Sequence, residues 1–262
     1  MKKADRLTPM AIGGALGAVF LSMILDGASP VVLFKPAPLM LVFGGTFAVA
    51  FAGLMKKDIK SVKLIIKQAL GPPEPDVDED IARLVKLAEV ARKDGLLALE
   101  KAAESVDDPF LARGIQLTVD GIDSEEMYEI LESEIAAIKD RHKMGAKLFA
   151  DMAGFAPTLG IIGTVIGLIH VLGSLSNPNA LGPAIGSAFT ATLWGVLTAN
   201  LFWLPLSNKL KRASELEIHN KRMIVTGLLA VQAGSSPRMV QTRLHAYLSA
   251  TERAGGETKA AA

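Results

Sequence analysis

The chain has 262 residues, with 28 basic and 27 acidic side chains, and half of its residues are hydrophobic, for a mean hydropathy of +0.35. With no cysteine, disulfides, thiol catalysis and thiolate metal sites are excluded, and a net charge of +1 without a strongly basic patch gives no support to nucleic-acid binding. Aromatics are only 5 % while Gly, Ala, Leu and Val dominate long uncharged runs, which indicates a polytopic helical membrane protein with its charges gathered in the connections.

Residues 1–6 carry three basic side chains and one aspartate. Leu7 to Leu25 is uncharged and, at about 19 residues, matches a hydrocarbon core of roughly 30 Å. A basic start and an apolar run also fit a signal peptide. The run is long for one, however, and Asp26-Gly27-Ala28-Ser29-Pro30 lacks a good small-x-small cleavage site, so a retained span is expected. A short connection with Asp26, Pro30 and Lys35 leads to a second apolar run, Pro36 to Met55, which contains Gly44, Gly45, Ala48 and Ala52. Residues 7–55 thus read as two transmembrane helices.

Lys56, Lys57, Lys60, Lys63 and Lys67 follow at once, the strongest positive-inside signal in the chain. They open a polar, helix-rich segment, residues 56–147, broken at Gly71-Pro72-Pro73-Glu74-Pro75. Acidic residues between Asp76 and Asp80 introduce a helix over Ile81 to Lys93, with apolar positions at helical period; Gly95 breaks it and Leu96 to Ser105 resumes it. Phe110 to Val119 and Ser124 to Lys143 read as further amphipathic helices.

Two more spans are expected within residues 148–206, from about Leu148 to Leu175 and from about Ala184 to Leu206, with an uncharged connection between them. Lys209, Lys211 and Arg212 follow, and the fourth helix is expected to continue past the membrane to about Val231. Residues 207–249 read as C-terminal helices, the last opened by Ser236-Pro237, and residues 250–262 as a disordered tail. The basic flanks of four spans all fall on one side, which places both termini and the insertion in the cytoplasm. The expected architecture is therefore all-α: four transmembrane helices, a helical cytoplasmic domain between the second and third, and a long fourth helix extending into the cytoplasm.

The third span carries Gly160, Thr164 and Gly167 on one helical face, and the fourth carries Ala188, Thr192, Gly195 and Ala199. Such faces let helices approach closely in lipid. No ionisable residue lies near any span centre; Asp151 and His170 fall at the ends of the third span and read as interface residues. What the spans offer are hydroxyls, Thr158 and Thr164 on the third and Ser187, Thr190, Thr192 and Thr198 on the fourth. A threonine can lend one oxygen to a dehydrating cation, although its commoner role is a bond back to its own helix. If the chain works on an ion gradient, the titrating carboxylate must come from another subunit. Pro157 and Pro205 each free a carbonyl four residues earlier, giving either two tolerated kinks or a pair of hinges at one membrane depth.

Four blocks give the chain a family likeness: Ala156 to Leu168 (APTLGIIGTVIGL), Ala188 to Gly195 (AFTATLWG), Pro205 to Leu210, and Ala91 to Glu100 (ARKDGLLALE). Together with the span pattern they make the chain resemble a flagellar motor stator A subunit of the MotA/PomA type, in the MotA/TolQ/ExbB superfamily, over nearly its whole length. The resemblance implies a multi-pass protein of the bacterial cytoplasmic (inner) membrane, five copies of which surround a dimer of a MotB/PomB-type subunit. Each copy of that partner bears one transmembrane helix with an ion-binding aspartate. Ion flow then turns the ring, and its cytoplasmic surface drives the rotor switch protein FliG.

The resemblance also implies roles for particular residues. Pro157 and Pro205 match prolines that couple ion passage to conformational change. Arg92 and Glu100 match the charged pair that meets the rotor, with Lys93 and Lys101 as helpers; as plain chemistry, these four make a solvated helix face. Ala103 stands where some relatives have a further acid, which thins the charge pattern here. Thr164 matches the threonine of sodium-driven members, where many proton-driven ones have alanine, and Thr192 and Thr158 are further candidates for the ion path. The implied cation is Na+, with H+ as the alternative, and no cofactor is expected.

Two other readings remain open. ExbB/TolQ-like energisers of envelope machinery resemble the second to fourth spans but typically have three spans, and a membrane scaffold would use the small faces for packing alone. No nucleophile–base pair, P-loop or metal cluster supports an enzyme.

Overall fold

The computed structural model describes residues 7–72, 74–173 and 175–249. The expected cytoplasmic N-terminus, residues 1–6, and the expected tail, residues 250–262, lie outside the described residues. All regular structure among the described residues is helical, as the composition led one to expect. The elements are α1 (Leu7–Leu25), α2 (Pro36–Ala52), α3 (Lys56–Leu70), α4 (Val77–Asp94), α5 (Glu100–Glu104), α6 (Pro109–Val119), α7 (Ser124–Gly173), α8 (Pro178–Thr198), α9 (Leu204–Gln232) and α10 (Pro237–His245), with a short turn of 3-10 helix at Leu96–Leu99.

Among the described residues, three stretches are long and apolar enough to cross a membrane: α1, the apolar part of α7, and α8 continuing into α9. The fourth apolar helix, α2, is shorter, about 25 Å at 1.5 Å per residue, so the helices are consistent with four spans. The chain divides into two compact units, one built from residues 1–73 and 142–212 and the other from residues 74–141 and 213–262.

In the first unit, Val42 and Trp194 pack with Leu33 of the α1–α2 connection in one cluster. A second cluster joins Ala50 of α2, Val62, Ile65 and Ala69 of α3, Phe149 and Met152 of α7, and Leu206 and Leu210 of α9. The helix α3 belongs to this unit despite its five lysines, because its apolar face has to be covered somewhere. Ile65 lies so close to α7 that a Cβ on Gly145 would stand 3.2 Å from its Cγ2. The first turn of α3 is closed by Asp58, whose carboxylate accepts from the Met55 amide at 3.2 Å.

The joint between α8 and α9 is a π-turn at Ala199–Trp203, in which the Leu204 amide donates to the Ala199 carbonyl five residues back. Pro205 explains it. Its ring has no N–H and crowds the preceding turn, and the wider i→i+5 loop relieves that crowding while the helix continues. Pro157 is accommodated inside α7, which runs unbroken through it.

The second unit has one core, formed by Leu84 and Leu87 of α4, Leu111 and Ile115 of α6, Met127 and Leu131 of α7, Ile224 and Leu228 of α9, and Leu244 of α10. Side-chain caps set its helix starts. Asp76 accepts from the Glu79 amide at 3.2 Å, so α4 begins four residues before the expected Ile81; Asp108 accepts from Phe110 N at 3.0 Å and Ser236 from Met239 N at 3.3 Å. Gly95, at φ +85°, ends α4 in a conformation only glycine adopts without strain. The segment expected to resume at Leu96 does so as a 3-10 turn followed by α5, not as one α-helix, with Leu99 fully buried beneath it.

Candidate functional site

The small faces of the third and fourth spans meet. A Cβ placed on Gly160 would lie 2.9 Å from the Ala191 carbonyl oxygen, one on Gly163 2.5 Å from Ala191 Cβ, and one on Gly167 2.5 Å from Ala188 Cβ. From the other side, a Cβ on Gly195 would lie 2.6 Å from the Ala156 carbonyl and 3.2 Å from Pro157 Cα. Backbones this close need glycine at every crossing point, and in lipid that contact supplies the packing that water would otherwise drive.

At the centre of this seam the Thr164 and Thr192 hydroxyls are in hydrogen-bond contact. Thr164 Oγ1 also lies 3.1 Å from Gly160 O and 3.2 Å from Ala188 O, and Thr192 Oγ1 3.3 Å from Gly160 O, acceptors that the two hydroxyl protons share. Two hydroxyl and two carbonyl oxygens thus converge on a partly buried point between α7 and α8. All four are neutral donors of lone pairs, the oxygen chemistry that can replace part of a cation's water shell. Thr158 is elsewhere: it is exposed, and its hydroxyl bonds back to Phe155 O at 2.8 Å.

Asp151 is the sole acid in the apolar part of the described spans, and it pairs with Lys147 at 2.6 Å, one helical turn away at the end of the span. His170 is exposed near the other end. Pro157 sits in the seam against Gly195, whereas Pro205 follows the π-turn beyond it.

Several polar contacts of the first unit carry no warning in the sequence. Trp194 donates its indole N–H to the Leu33 carbonyl at 2.8 Å, and Lys35 Nζ donates to the Pro183 carbonyl at 2.9 Å, tying the α1–α2 connection to α8. The buried Ser207 hydroxyl donates to Ala146 O at 2.8 Å. Each joins residues far apart in the chain, and only a tryptophan in a glycine-rich span hints at one of them.

In the second unit, Arg92 and Lys93 occupy the last turn of α4, where basic side chains complement the helix dipole. Glu100 and Lys101 occupy the first turn of α5, across Gly95 and the 3-10 turn. All four are exposed, and among the described residues none of the four forms an ion pair. They form one charged, solvent-facing corner held by the buried Leu99.

At the opposite end of α4 lies a buried polar group that sequence reasoning missed. Asp80 accepts from Asn220 Nδ2 at 2.7 Å, and Arg83 Nη1 stands 3.8 Å from its other oxygen. Burial pushes the Asp80 carboxyl above the ordinary aspartate value, against the lowering influence of Asn220 and Arg83. Among the described residues, Asn220 Oδ1 has no hydrogen-bond partner. Lys221, also buried, reaches Asp108 at 3.7 Å and lies over the Phe110 ring at 4.6 Å from its centroid.

Apolar helices joined by a glycine seam, with a hydroxyl pair inside that seam and an exposed charged corner on a separate helical unit, define a polytopic helical membrane protein. Residues 102–223 match the MotA/TolQ/ExbB proton channel family. The chain is 36 % identical to Motility protein A of Bacillus subtilis, over 95 % of its own length and 93 % of that protein, and 33 % identical to the chemotaxis protein PomA of Vibrio alginolyticus, over 95 % and 98 %. It superposes on a chain of the flagellar MotAB stator complex from Bacillus subtilis with a TM-score of 0.89 at 36 % identity, covering 95 % of this chain and 99 % of that one. The chain belongs to the MotA/PomA family of flagellar stator A subunits.

Proposed function

We propose that the chain forms the outer ring of an ion-driven stator in the bacterial inner membrane, five copies around two copies of a single-span MotB/PomB-type subunit, with both termini and the second unit in the cytoplasm. The observation that carries this reading is the Thr164–Thr192 pair: convergent neutral oxygens in a helix seam whose spans bring no central carboxylate of their own. An oxygen cage without a titrating group is half of an ion site. The partner's membrane aspartate supplies the other half. The likeness to PomA, to Motility protein A and to a chain of a MotAB complex supports the partnership.

In this mechanism a cation sheds water at the hydroxyl and carbonyl oxygens, passes to the partner's carboxylate and leaves toward the cytoplasm. Occupancy of that carboxylate changes how the partner's helix packs against the seam. Pro157, lying against Gly195, and Pro205, beyond the π-turn, are the places where α7 and the fourth span yield. Arg92, Lys93, Glu100 and Lys101 pass the motion to FliG on the rotor. Exposed charges of this kind contribute little binding energy, so they act by steering and register.

Sodium is the favoured coupling ion, because a proton has no use for a cage of neutral oxygens. The test is swimming speed at constant total ionic strength as external sodium is replaced by potassium. Speed that falls with sodium supports the reading; undiminished speed without sodium sinks it and leaves the proton as the coupling ion. Co-purification of the chain without any single-span partner would instead favour a scaffold.

A further inference from the structure

No residue of α1 is buried within the chain, although α1 is uncharged throughout. Where it passes the π-turn it leaves a crevice of about 280 Å³, walled by Ala11, Ile12 and Ala15 on one side and by Leu201 and Pro205 on the other. Lys209 and Thr8 mark one end: Lys209 Nζ donates to Thr8 Oγ1 at 2.7 Å across the opening. Asn200 stands exposed on the inner wall, and its Nδ2 donates to Val196 O at 2.9 Å.

We propose that this crevice binds one anionic phospholipid, with an acyl chain between α1 and the fourth span and the phosphate at Lys209. The proposal rests on the membrane topology given above, which puts Lys209 at the cytoplasmic interface. A crevice open to the hydrocarbon is filled by hydrocarbon, since water there would leave its hydrogen bonds unmade. The charge at its mouth selects the headgroup. Lys209, Lys211 and Arg212 lie within one turn of each other. A phosphodiester with net negative charge is attracted there, and a zwitterionic head brings a cation of its own that is not.

Asn200 is the second observation. A primary amide has two N–H donors and a carbonyl, and the bond to Val196 O engages one donor. In an apolar crevice the second N–H can donate to an ester oxygen that joins an acyl chain to glycerol. The lipid in this position lies against Pro205 and the π-turn, the segment of the fourth span whose backbone bonding departs from the α pattern. It is therefore a wedge that holds α1 to the hinge.

The test is native mass spectrometry of the full-length chain, in the assembly in which it purifies, after equilibration in vesicles of equal parts phosphatidylglycerol and phosphatidylcholine. The expected result is a preference for retained phosphatidylglycerol of about fivefold, the size one lysine near an anionic surface gives. Lys209→Gln should abolish that preference and Lys209→Arg should keep it, at unchanged elution volume and helical content. Ala15→Phe, which fills the crevice, should lower retention of both lipids. Equal retention of the two lipids by the natural chain, or an undiminished preference in Lys209→Gln, overturns the proposal. A photo-reactive benzophenone at Ala15 separates occupants: lipid adducts support the site, and adducts to a second copy of the chain overturn it. Sodium-independent swimming would leave lipid retention untouched, so the two readings fail separately.

Discussion

The Thr164 and Thr192 hydroxyls meet across the seam between α7 and α8, and each reaches the carbonyl four residues before the other: Thr164 that of Ala188, Thr192 that of Gly160. Thr192 thus makes across the seam the bond that a membrane threonine ordinarily makes along its own helix, and Thr164 reaches a carbonyl on each side, its own Gly160 O as well as Ala188 O. Thr164→Ala removes the shared contact and one cage oxygen, while Thr192 retains its own bond to Gly160 O. Interhelical hydrogen bonds in membranes are worth about 0.6 kcal/mol on average, so the protein should insert and assemble with little loss of thermal stability. Sodium-dependent swimming should nevertheless disappear. A variant that loses assembly together with motility would make the pair structural, and equal sodium-driven speed in Thr164→Ala would remove it from the ion path.

The glycine seam makes a sharper structural prediction. A Cβ on Gly195 would collide with the Ala156 carbonyl at 2.6 Å, a backbone atom that cannot move away cheaply, and would press on Pro157. Gly195→Ala should therefore cost about 1–3 kcal/mol as overpacking and force α7 and α8 apart beside Pro157. Gly154 is the control, because a Cβ there meets nothing within 4 Å. Gly154→Ala should leave the thermal unfolding temperature equal or slightly raised, since alanine is the better helix former. Measured side by side, the two variants separate the cost of the seam from that of changing any glycine in α7 or α8.

That seam was legible in the sequence, and the reason is local. Gly160, Gly167, Ala188 and Gly195 announce a close approach by periodicity, because 3.6 residues per turn put them on one face. The uncharged runs likewise announce the membrane helices, since the bilayer demands length and apolarity from each segment alone. Three things stayed hidden. Hydroxyls were visible at Thr158, Thr164 and Thr192, but only the packing brings the last two together and leaves the first exposed. The lysines of α3 read as polar insertion, whereas Val62, Ile65 and Ala69 place that helix with the first unit. Asp80 and Asn220 are 140 residues apart, and no pattern along the chain connects them.

Asp80 predicts a pH dependence. Its carboxyl is raised in the folded chain, chiefly by burial. The folded state then holds the proton to higher pH than the unfolded one. Stability is greatest below the unfolded aspartate value and declines as pH rises from there through the raised folded value. Asp80→Asn removes that decline. It also preserves the contact, because the new amide accepts from Asn220 Nδ2 and can donate to Asn220 Oδ1, which otherwise lacks a partner. Thermal unfolding across the acid-to-neutral range should show Asp80→Asn gaining on the natural chain as pH rises. Asp80→Ala leaves the buried Asn220 amide unpaired and should cost about 1–3 kcal/mol at every pH. A constant gap between Asp80→Asn and the natural chain would mean that the Asp80 carboxyl titrates alike in the folded and unfolded chain.

Arg92 and Glu100 give the opposite separation of stability from function. Both are exposed and, among the described residues, neither forms an ion pair, so reversing their charges breaks no ion pair there. Surface changes of this kind shift stability within about 0.5 kcal/mol. Arg92→Glu also places an acid in the last turn of α4, against the helix dipole, where the effect is about 0.3–1 kcal/mol. Assembly and ion binding should survive both Arg92→Glu and Glu100→Lys, and torque on the rotor should fall in each. The fall should be steeper in medium of low ionic strength, where repulsion between like charges is least screened. Charge reversal on the facing rotor surface should restore swimming to the matching variant and not to the other. Restoration of neither, with folding intact, would mean that this corner of the second unit does not face the rotor.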